Sequence, residues 1–384
     1  MNSKRFLMAV TLLFVLVSSV GVAATNSELN HRMDILTEQM ATLQSQSGRS
    51  KTNIGGYGEF VYENYRTELE DGTLQGKNPK IDAKRFILYI SHEFAPRWSL
   101  TSEIEVEHVN QIFLEQGTID YKFSDKTTFH VGLMLVPVGF INIYHEPTTF
   151  LSVNRPEIAS KIIPTTWREV GVSVNGQQGD FEYRMALING LQASSFNSGG
   201  VRGGRQKGAT ANGRPLAWVG RLDYKFLEGS AVIGGSAYVG KAGGTQTDVD
   251  HRVFDLHYDG QFAGFHTRAL YTTLTLSNID KLNAELGENI GEEMNGYYGE
   301  VGYNVLHKIA DWKLTPFVRF EKFNTHAKVA AGQVKDSSKD KTNITYGVTA
   351  KPVDNVVFKL DYLVAKNKQN TGSDTWGMAV GWNF

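Results

Sequence analysis

From residue 53 to the last residue, apolar and polar side chains alternate with a period of two in short segments. That pattern restricts the fold more than any other feature of the chain. Leu216, Trp218, Leu222, Tyr224 and Phe226 are interleaved with Arg221, Asp223 and Lys225. Phe358, Leu360, Tyr362 and Val364 alternate in the same way with Lys359 and Asp361, and Trp98, Leu100, Ile104 and Val106 with Glu103, Glu105 and Glu107. Successive side chains of a strand point to opposite faces, so this period predicts strands with one apolar and one wet face. The predicted spans are 53–66, 81–94, 97–109, 116–123, 127–135, 168–176, 180–190, 215–227, 230–240, 251–260, 263–276, 295–305, 313–325, 342–351, 355–365 and 375–384. That makes about sixteen strands, an even number of the kind bacterial membrane barrels have.

A soluble sandwich also alternates, with its apolar face turned inward. The lengths of the connectors separate the two cases. Short turns (Ala95-Pro96, 124–126, 177–179, 227–229, Gln261-Phe262 and 352–354, with a longer 306–312) take turns with longer segments at 67–80, 110–115, 136–167, 191–214, 241–250, 277–294, 326–341 and 366–374. Outer-membrane barrels sort their connectors in this way, with short turns on the periplasmic side and long loops outside. With an even strand count both termini then fall on the periplasmic side. Thirty-nine glycines and twenty-one phenylalanines against nine prolines suit many strands and tight turns. After the first 24 residues no apolar run approaches the roughly 18 residues of a membrane helix, which leaves a closed barrel as the only way to span lipid. At the C-terminus Trp376, Met378, Val380, Trp382 and Phe384 share one face, the aromatic belt expected at a membrane interface. The predicted class is therefore all-β, a transmembrane antiparallel β-barrel.

The N-terminus reads differently. Lys4 and Arg5 precede an almost wholly apolar stretch from Phe6 to Val20, and Val22-Ala23-Ala24 supplies small residues for cleavage, so residues 1–24 are expected to be a secretory signal peptide. Losing those two cations lowers the formal net charge of -1 by two, and nothing points to nucleic acid. In 25–46 Leu29, Met33, Leu36, Met40 and Leu43 fall alternately four and three residues apart, a short heptad seam expected to form an oligomerising periplasmic coiled-coil helix. A polar linker, 47–52, joins it to the barrel domain, 53–384. The chain has no cysteine, which suits an exported protein that does not rely on disulfides.

Several stretches resemble the phosphate-selective porin O and P family of Gram-negative outer-membrane channels, in a subgroup with an N-terminal coiled coil. The resemblance covers most of 53–384. It is carried by Lys84-Arg85-Phe86, by the run from Ser102 to His108, by Gly132-Leu133-Met134 with Pro137-Val138-Gly139-Phe140, and by His145-Glu146-Pro147-Thr148. Asn154-Arg155-Pro156, Ile163-Pro164, Trp167 and Glu169-Val170-Gly171-Val172 continue it. It implies a homotrimeric channel in membrane lipid and lipopolysaccharide that passes small hydrophilic solutes, with an inward-folded third loop and, in the family's namesakes, basic side chains that guide anions such as phosphate.

The segment 136–167 is that third long connector, and a loop of this length in a compact barrel is usually functional. It carries Arg155 and Lys161, flanked by Arg168, against Glu146 and Glu157, and fixed charge at a narrow, low-dielectric passage biases which ions enter. Arg155 and Lys161 are the expected selectivity residues; the competing role is a salt bridge to Glu157 or to the barrel wall. By parity Arg85, Lys122, Arg184, Arg221, Lys225, Arg268, Arg319 and Lys359 face the lumen beside Glu103, Glu105, Glu107, Asp120, Glu182, Asp223, Asp255, Glu300, Glu321 and Asp361, a mixed wall rather than a basic one. No catalytic motif is present: there is no Gly-x-Ser-x-Gly, no P-loop and no His-Glu-x-x-His, since His145-Glu146 runs into a proline. No enzyme activity, cofactor or metal is expected. The glycine cluster 199–204, with Arg202 and Arg205, reads as a mobile external loop rather than a phosphate cradle. The alternative functions are a barrel scaffold presenting loops for adhesion or enzyme activity, and a soluble periplasmic β-protein.

Overall fold

A computed structural model describes residues 51–384; the predicted signal peptide and coiled-coil segment lie outside the described residues. Sixteen antiparallel strands close into one barrel in which each strand pairs with its neighbours in sequence and the first pairs with the last. They are β1 Thr52–Tyr65, β2 Lys80–Ala95, β3 Trp98–Glu107, β4 Gln111–Ser124, β5 Thr127–Leu135, β6 Arg168–Gln178, β7 Phe181–Asn189 and β8 Leu216–Phe226, followed by β9 Ala231–Ala242, β10 Val249–Phe262, β11 Phe265–Leu276, β12 Glu293–Tyr303, β13 Lys313–Lys328, β14 Asp340–Val353, β15 Val356–Asn367 and β16 Thr375–Asn383. Two short helices interrupt the connectors, α1 Ile158–Lys161 and α2 Ile279–Leu286. Closure runs from Tyr57↔Asn383 to Tyr65↔Thr375, and Gly56 and Phe384 exchange both backbone hydrogen bonds at 2.9 Å. This leaves no open strand edge.

The predicted strands match the observed ones to within a few residues, with one instructive exception. β4 starts at Gln111, not 116, so the expected loop 110–115 is a tight turn at 108–110. A β-bulge opposite Glu103 and Ile104 inserts Glu115 as an extra residue, which breaks the period-two pattern at this point. The other connectors on this side, such as 66–79, 136–167, 190–215 and 277–292, are long, whereas those at the opposite end include two-residue turns at 96–97, 125–126, 179–180, 263–264 and 354–355.

Alternation sorts the strand residues as the sequence requires. Outward positions are apolar and open, as with Trp218 at 64% and Leu256 at 68% exposure, a surface whose contact with water is unfavourable. Aromatic pairs gather on this face at the short-turn end: Trp98 with Tyr121 (4.8 Å between ring centres), Phe181 with Tyr224 (4.9 Å), Phe265 with Tyr303 (4.8 Å) and Phe86 with Phe384 (6.1 Å). Such a ring of aromatic residues is the girdle of a membrane barrel.

The inner face is not uniformly polar. On β7 to β12, inward positions nearest the long loops are apolar (Ala186, Ile188, Val219, Val253, Leu274, Met294), and they form one buried cluster with Val136, Val138, Ile158, Ile162, Ile163 and Trp167 of the long connector. Residues 136–167 thus fold into the barrel and build a core against one side of its wall. The open cavities beside it are lined mainly from β13 to β16 and from β1 to β6.

Candidate constriction site

Two features hold the loop 136–167 in place. The first is its neck. Val136 N donates to Trp167 O at 2.9 Å, and the buried Asn142 amide donates to the carbonyls of Val136 (2.7 Å) and Trp167 (2.9 Å) while its Oδ1 accepts from Trp167 N (2.6 Å). The second is a set of charged wall residues that bind loop backbone. Arg221 donates to Gly139 O (2.5 Å), Arg268 to Thr149 O (3.1 Å) and Lys359 to Ser152 O (2.9 Å), while Arg319 reaches Ser152 Oγ (2.5 Å). Carboxylates do the converse: Asp255 accepts from Gly139 N (2.9 Å), Asp361 from Val153 N (2.6 Å), and Glu321 from the backbone N–H groups of Glu157 (3.1 Å) and Ile158 (3.2 Å). A charge-assisted hydrogen bond is about twice as strong as a neutral one, and satisfying otherwise stranded loop backbone is what lets an irregular segment be buried at all. Gly139 suits its place because φ is +67° there, a backbone conformation that L side chains rarely adopt.

The inward placement of Arg221, Arg268, Arg319 and Lys359 follows from parity, but their work is anchoring, and no periodicity reveals that. Asp223, Asp255 and His257 likewise form a closed buried network, with His257 bonding Asp223 (2.8 Å) and Asp255 (2.6 Å). Lys225 pairs with Glu182 at 2.6 Å, and Lys122 sits at the short-turn rim with Asp125 at 2.9 Å.

The loop borders a pair of cavities. One, about 410 Å³, lies on the long-loop side and has a mixed lining: Arg155 and Glu157 of the loop, the basic Lys84, Arg85, Arg202 and Arg319, and the acidic Glu63, Glu107, Glu321 and Asp361. The other, about 290 Å³, is lined by His145 and Glu146 with Glu103, Asp120, His130 and Arg184. Between them the loop meets the wall of β1 to β4. Arg85 pairs with Glu59 at 2.9 Å, Tyr89 donates to Glu146 at 3.3 Å, and Arg168 stands 3.7 Å from Glu115. Glu105 is buried beside them.

Among the loop's own charges, Glu157 pairs with Lys341 (2.6 Å) rather than with Arg155 or Lys161. Arg155 instead donates to Thr166 Oγ1 (3.1 Å) and to His145 O (3.4 Å). Burial and the neighbouring Arg85 push its pKa down to about 10, which keeps it charged at neutral pH. Lys161 does not line the larger cavity; Arg202 takes that place. The glycine cluster is not a free loop. It packs against the neck, where Arg202 Nε donates to Thr165 O (2.6 Å), Arg205 Nη1 donates to Thr166 O, and Lys207 and Arg168 each lie 5.4 Å from the centre of the Phe113 ring. Burial, with Arg202 close by, lowers the Arg205 pKa to about 9, and burial with Arg205 lowers that of Lys207. The sequence signals for this patch were the spacing of Arg202, Arg205 and Lys207 among glycines. The signal for Glu115 was the unbroken apolar triplet Ile112-Phe113-Leu114 just before it.

Solved outer-membrane channels share this architecture at low identity. OmpF of Salmonella typhi in complex with daunomycin superposes with a TM-score of 0.60 at 10% identity, over 87% of this chain and 98% of that one. The outer-membrane channel DcaP of Acinetobacter baumannii gives 0.59 at 12% (87% and 97%), and an anion-selective porin from Comamonas acidovorans gives 0.58 at 11% (87% and 99%). The fold is that of the outer-membrane porins. In sequence, no family profile matches the chain, but a protein of Aquifex aeolicus strain VF5, described as uncharacterized, is 31% identical over 358 residues, 86% of this chain and 80% of that one. The chain belongs to the family of that Aquifex protein.

Proposed function

We propose that this protein is an outer-membrane porin through which small hydrophilic solutes diffuse passively, with a preference for small anions such as phosphate or organic acids. The barrel with its apolar outer belt, aromatic girdle and sorted connectors supports the membrane placement, with both termini periplasmic. The family resemblance brings with it a homotrimer and, for the predicted coil 25–46, a role in assembling it.

The observation that carries the anion preference is the convergence of Arg155, Arg202 and Arg205 on Thr165–Thr166, beside Lys207 and Arg168. Arg155, Arg202 and Arg205 are held there by neutral carbonyl or hydroxyl oxygens, with Glu107 near Arg202 and Arg205 and Glu59 near Arg155 as partial counter-charges. Positive charge at the entrance to a low-dielectric passage raises the local anion concentration. In a planar bilayer under a salt gradient, the reversal potential should have the sign of anion preference. The combined Arg155→Ala and Arg202→Ala substitution should move the permeability ratio towards unity, whereas Lys161→Ala should leave it nearly unchanged. A cation-signed reversal potential in the wild type would sink the anion preference, and an unaltered ratio in the double variant would remove these arginines from the selectivity role.

A further inference from the structure

Glu103, Glu115 and His145 face one another where the loop touches the wall. Their ligand atoms all lie within 4.8 Å of one another, with His145 Nε2 at 3.6 Å from Glu115 Oε2 and 3.9 Å from Glu103 Oε1. The three come from separate elements: Glu103 from β3, Glu115 from the bulge of β4, and His145 from the loop. They are buried almost completely, at 3%, 0% and 2% exposure. Yet neither ring nitrogen of His145, neither oxygen of Glu115 and not Oε1 of Glu103 has a hydrogen-bond partner within 3.5 Å; the His145 contacts to the two glutamates and the Arg168–Glu115 pair are all longer. The buried His257 is bonded on both ring nitrogens, between Asp223 and Asp255, and the buried His251, which also lacks partners, lies among the rings of Trp167, Phe196 and Tyr238 and not among carboxylates. Buried polar groups of native proteins are nearly always satisfied, and unsatisfied ones ask for a physical explanation such as an ion.

We infer that Glu103, Glu115 and His145 form a binding site for one divalent transition-metal ion of the zinc class, which ties the loop to the wall at the constriction. One imidazole and two carboxylates are a borderline donor set suited to such ions; calcium and magnesium favour oxygen ligands alone and in greater number. Bonds of about 2.0–2.2 Å place tetrahedral ligand atoms about 3.4 Å apart, so small side-chain rotations bring the three into range. Glu103 and His145 also line the smaller cavity, from which water can supply the fourth ligand. Arg168 lies 3.7 Å from Glu115 Oε1, on the carboxylate oxygen other than the one nearest His145, which leaves Oε2 for the metal. Glu105 and Glu146 are also buried nearby and add negative potential that offsets the arginines. The β-bulge sets both Glu115 and Gln116 against Glu103 on the inner face.

Metal binding is read without any conductance, so its outcome and that of the channel reading are separate. The untagged full chain, purified in detergent and stripped with chelator, is titrated with Zn²⁺ and with Mg²⁺, and bound metal is counted by atomic emission after desalting. One zinc per chain and no magnesium is the expected result. His145→Ala and Glu115→Gln should each weaken zinc binding at least about tenfold, while His108→Ala, which removes an exposed imidazole 2.7 Å from Asp82, should leave it unchanged. Substoichiometric zinc in the wild type at tens of micromolar, or full affinity in His145→Ala, would overturn the site. If a variant does not fold, X-ray absorption on the zinc-loaded wild type decides instead. A nitrogen and oxygen shell with scattering from one imidazole supports the site, and none or several imidazoles contradict it.

Discussion

Excising residues 139–161 and joining Val138 to Ile162 through a short Gly-Ser linker is expected to raise single-channel conductance several-fold and to erase ion preference. A sixteen-stranded barrel with nothing inside leaves an aqueous channel. Here that space is divided by a loop whose neck is closed by the hydrogen bond from Val136 to Trp167 and whose body binds wall residues from Arg221 to Asp361. The hydrogen-bonded strand ladder is independent of those contacts, so the barrel should still close, though less stably once Ile158 and the small cluster of Phe140, Ile141, Ile143, Tyr144, Phe150 and Ala159 are gone. Far-UV circular dichroism of the variant in detergent reports whether the barrel is intact, and planar-bilayer recording reports its conductance. An intact barrel with wild-type conductance would mean that the loop is not what limits flow.

Trp167→Ala should cost about 3–5 kcal/mol, the range for truncating a buried large aromatic residue. Trp167 is fully buried, packs 4.8 Å from the Tyr238 ring, and closes the loop neck through both its backbone N–H and its carbonyl. The backbone bonds survive the substitution, so the loss is one of packing, and the void opens between the loop and β9. Urea unfolding in micelles, followed by circular dichroism, should show a lower midpoint. The same variant should also have noisier open-channel current, since the loop's purchase on the wall is weakened. A midpoint within experimental error of the wild type would show that the cluster around Val136, Ile162 and Trp167 does not hold the loop.

The barrel was largely legible because each strand declares its faces locally. Leu216, Trp218 and Leu222 against Arg221 and Asp223 need no distant contact to be sorted, and a tight turn such as 96–97 announces itself. β4 was cut short because Ile112-Phe113-Leu114 lacks alternation and the bulge at Glu115 shifts the parity of the rest of the strand. The apolar run Leu216-Ala217-Trp218-Val219 had a similar message: a lumen position that is apolar marks where another segment packs inside the barrel. The site was less legible, because its geometry depends on pairs far apart in sequence. Nothing local tells that Asp361 caps Val153, 208 residues away, or that Arg221 holds Gly139. Parity therefore sorts charges to the inner face but does not tell which of them bind the loop. Arg155 was visible as a loop charge, but its companions Arg202 and Arg205 sit on a different connector that only the fold brings to the same neck.

The proposed channel is narrowed by its own connector 136–167. Reconstitution of the untagged wild-type chain in planar bilayers, under a tenfold salt gradient, tests it most directly. Discrete conductance steps with a reversal potential of anion sign are the predicted result. Folded, membrane-inserted protein that gives no conductance steps would contradict it.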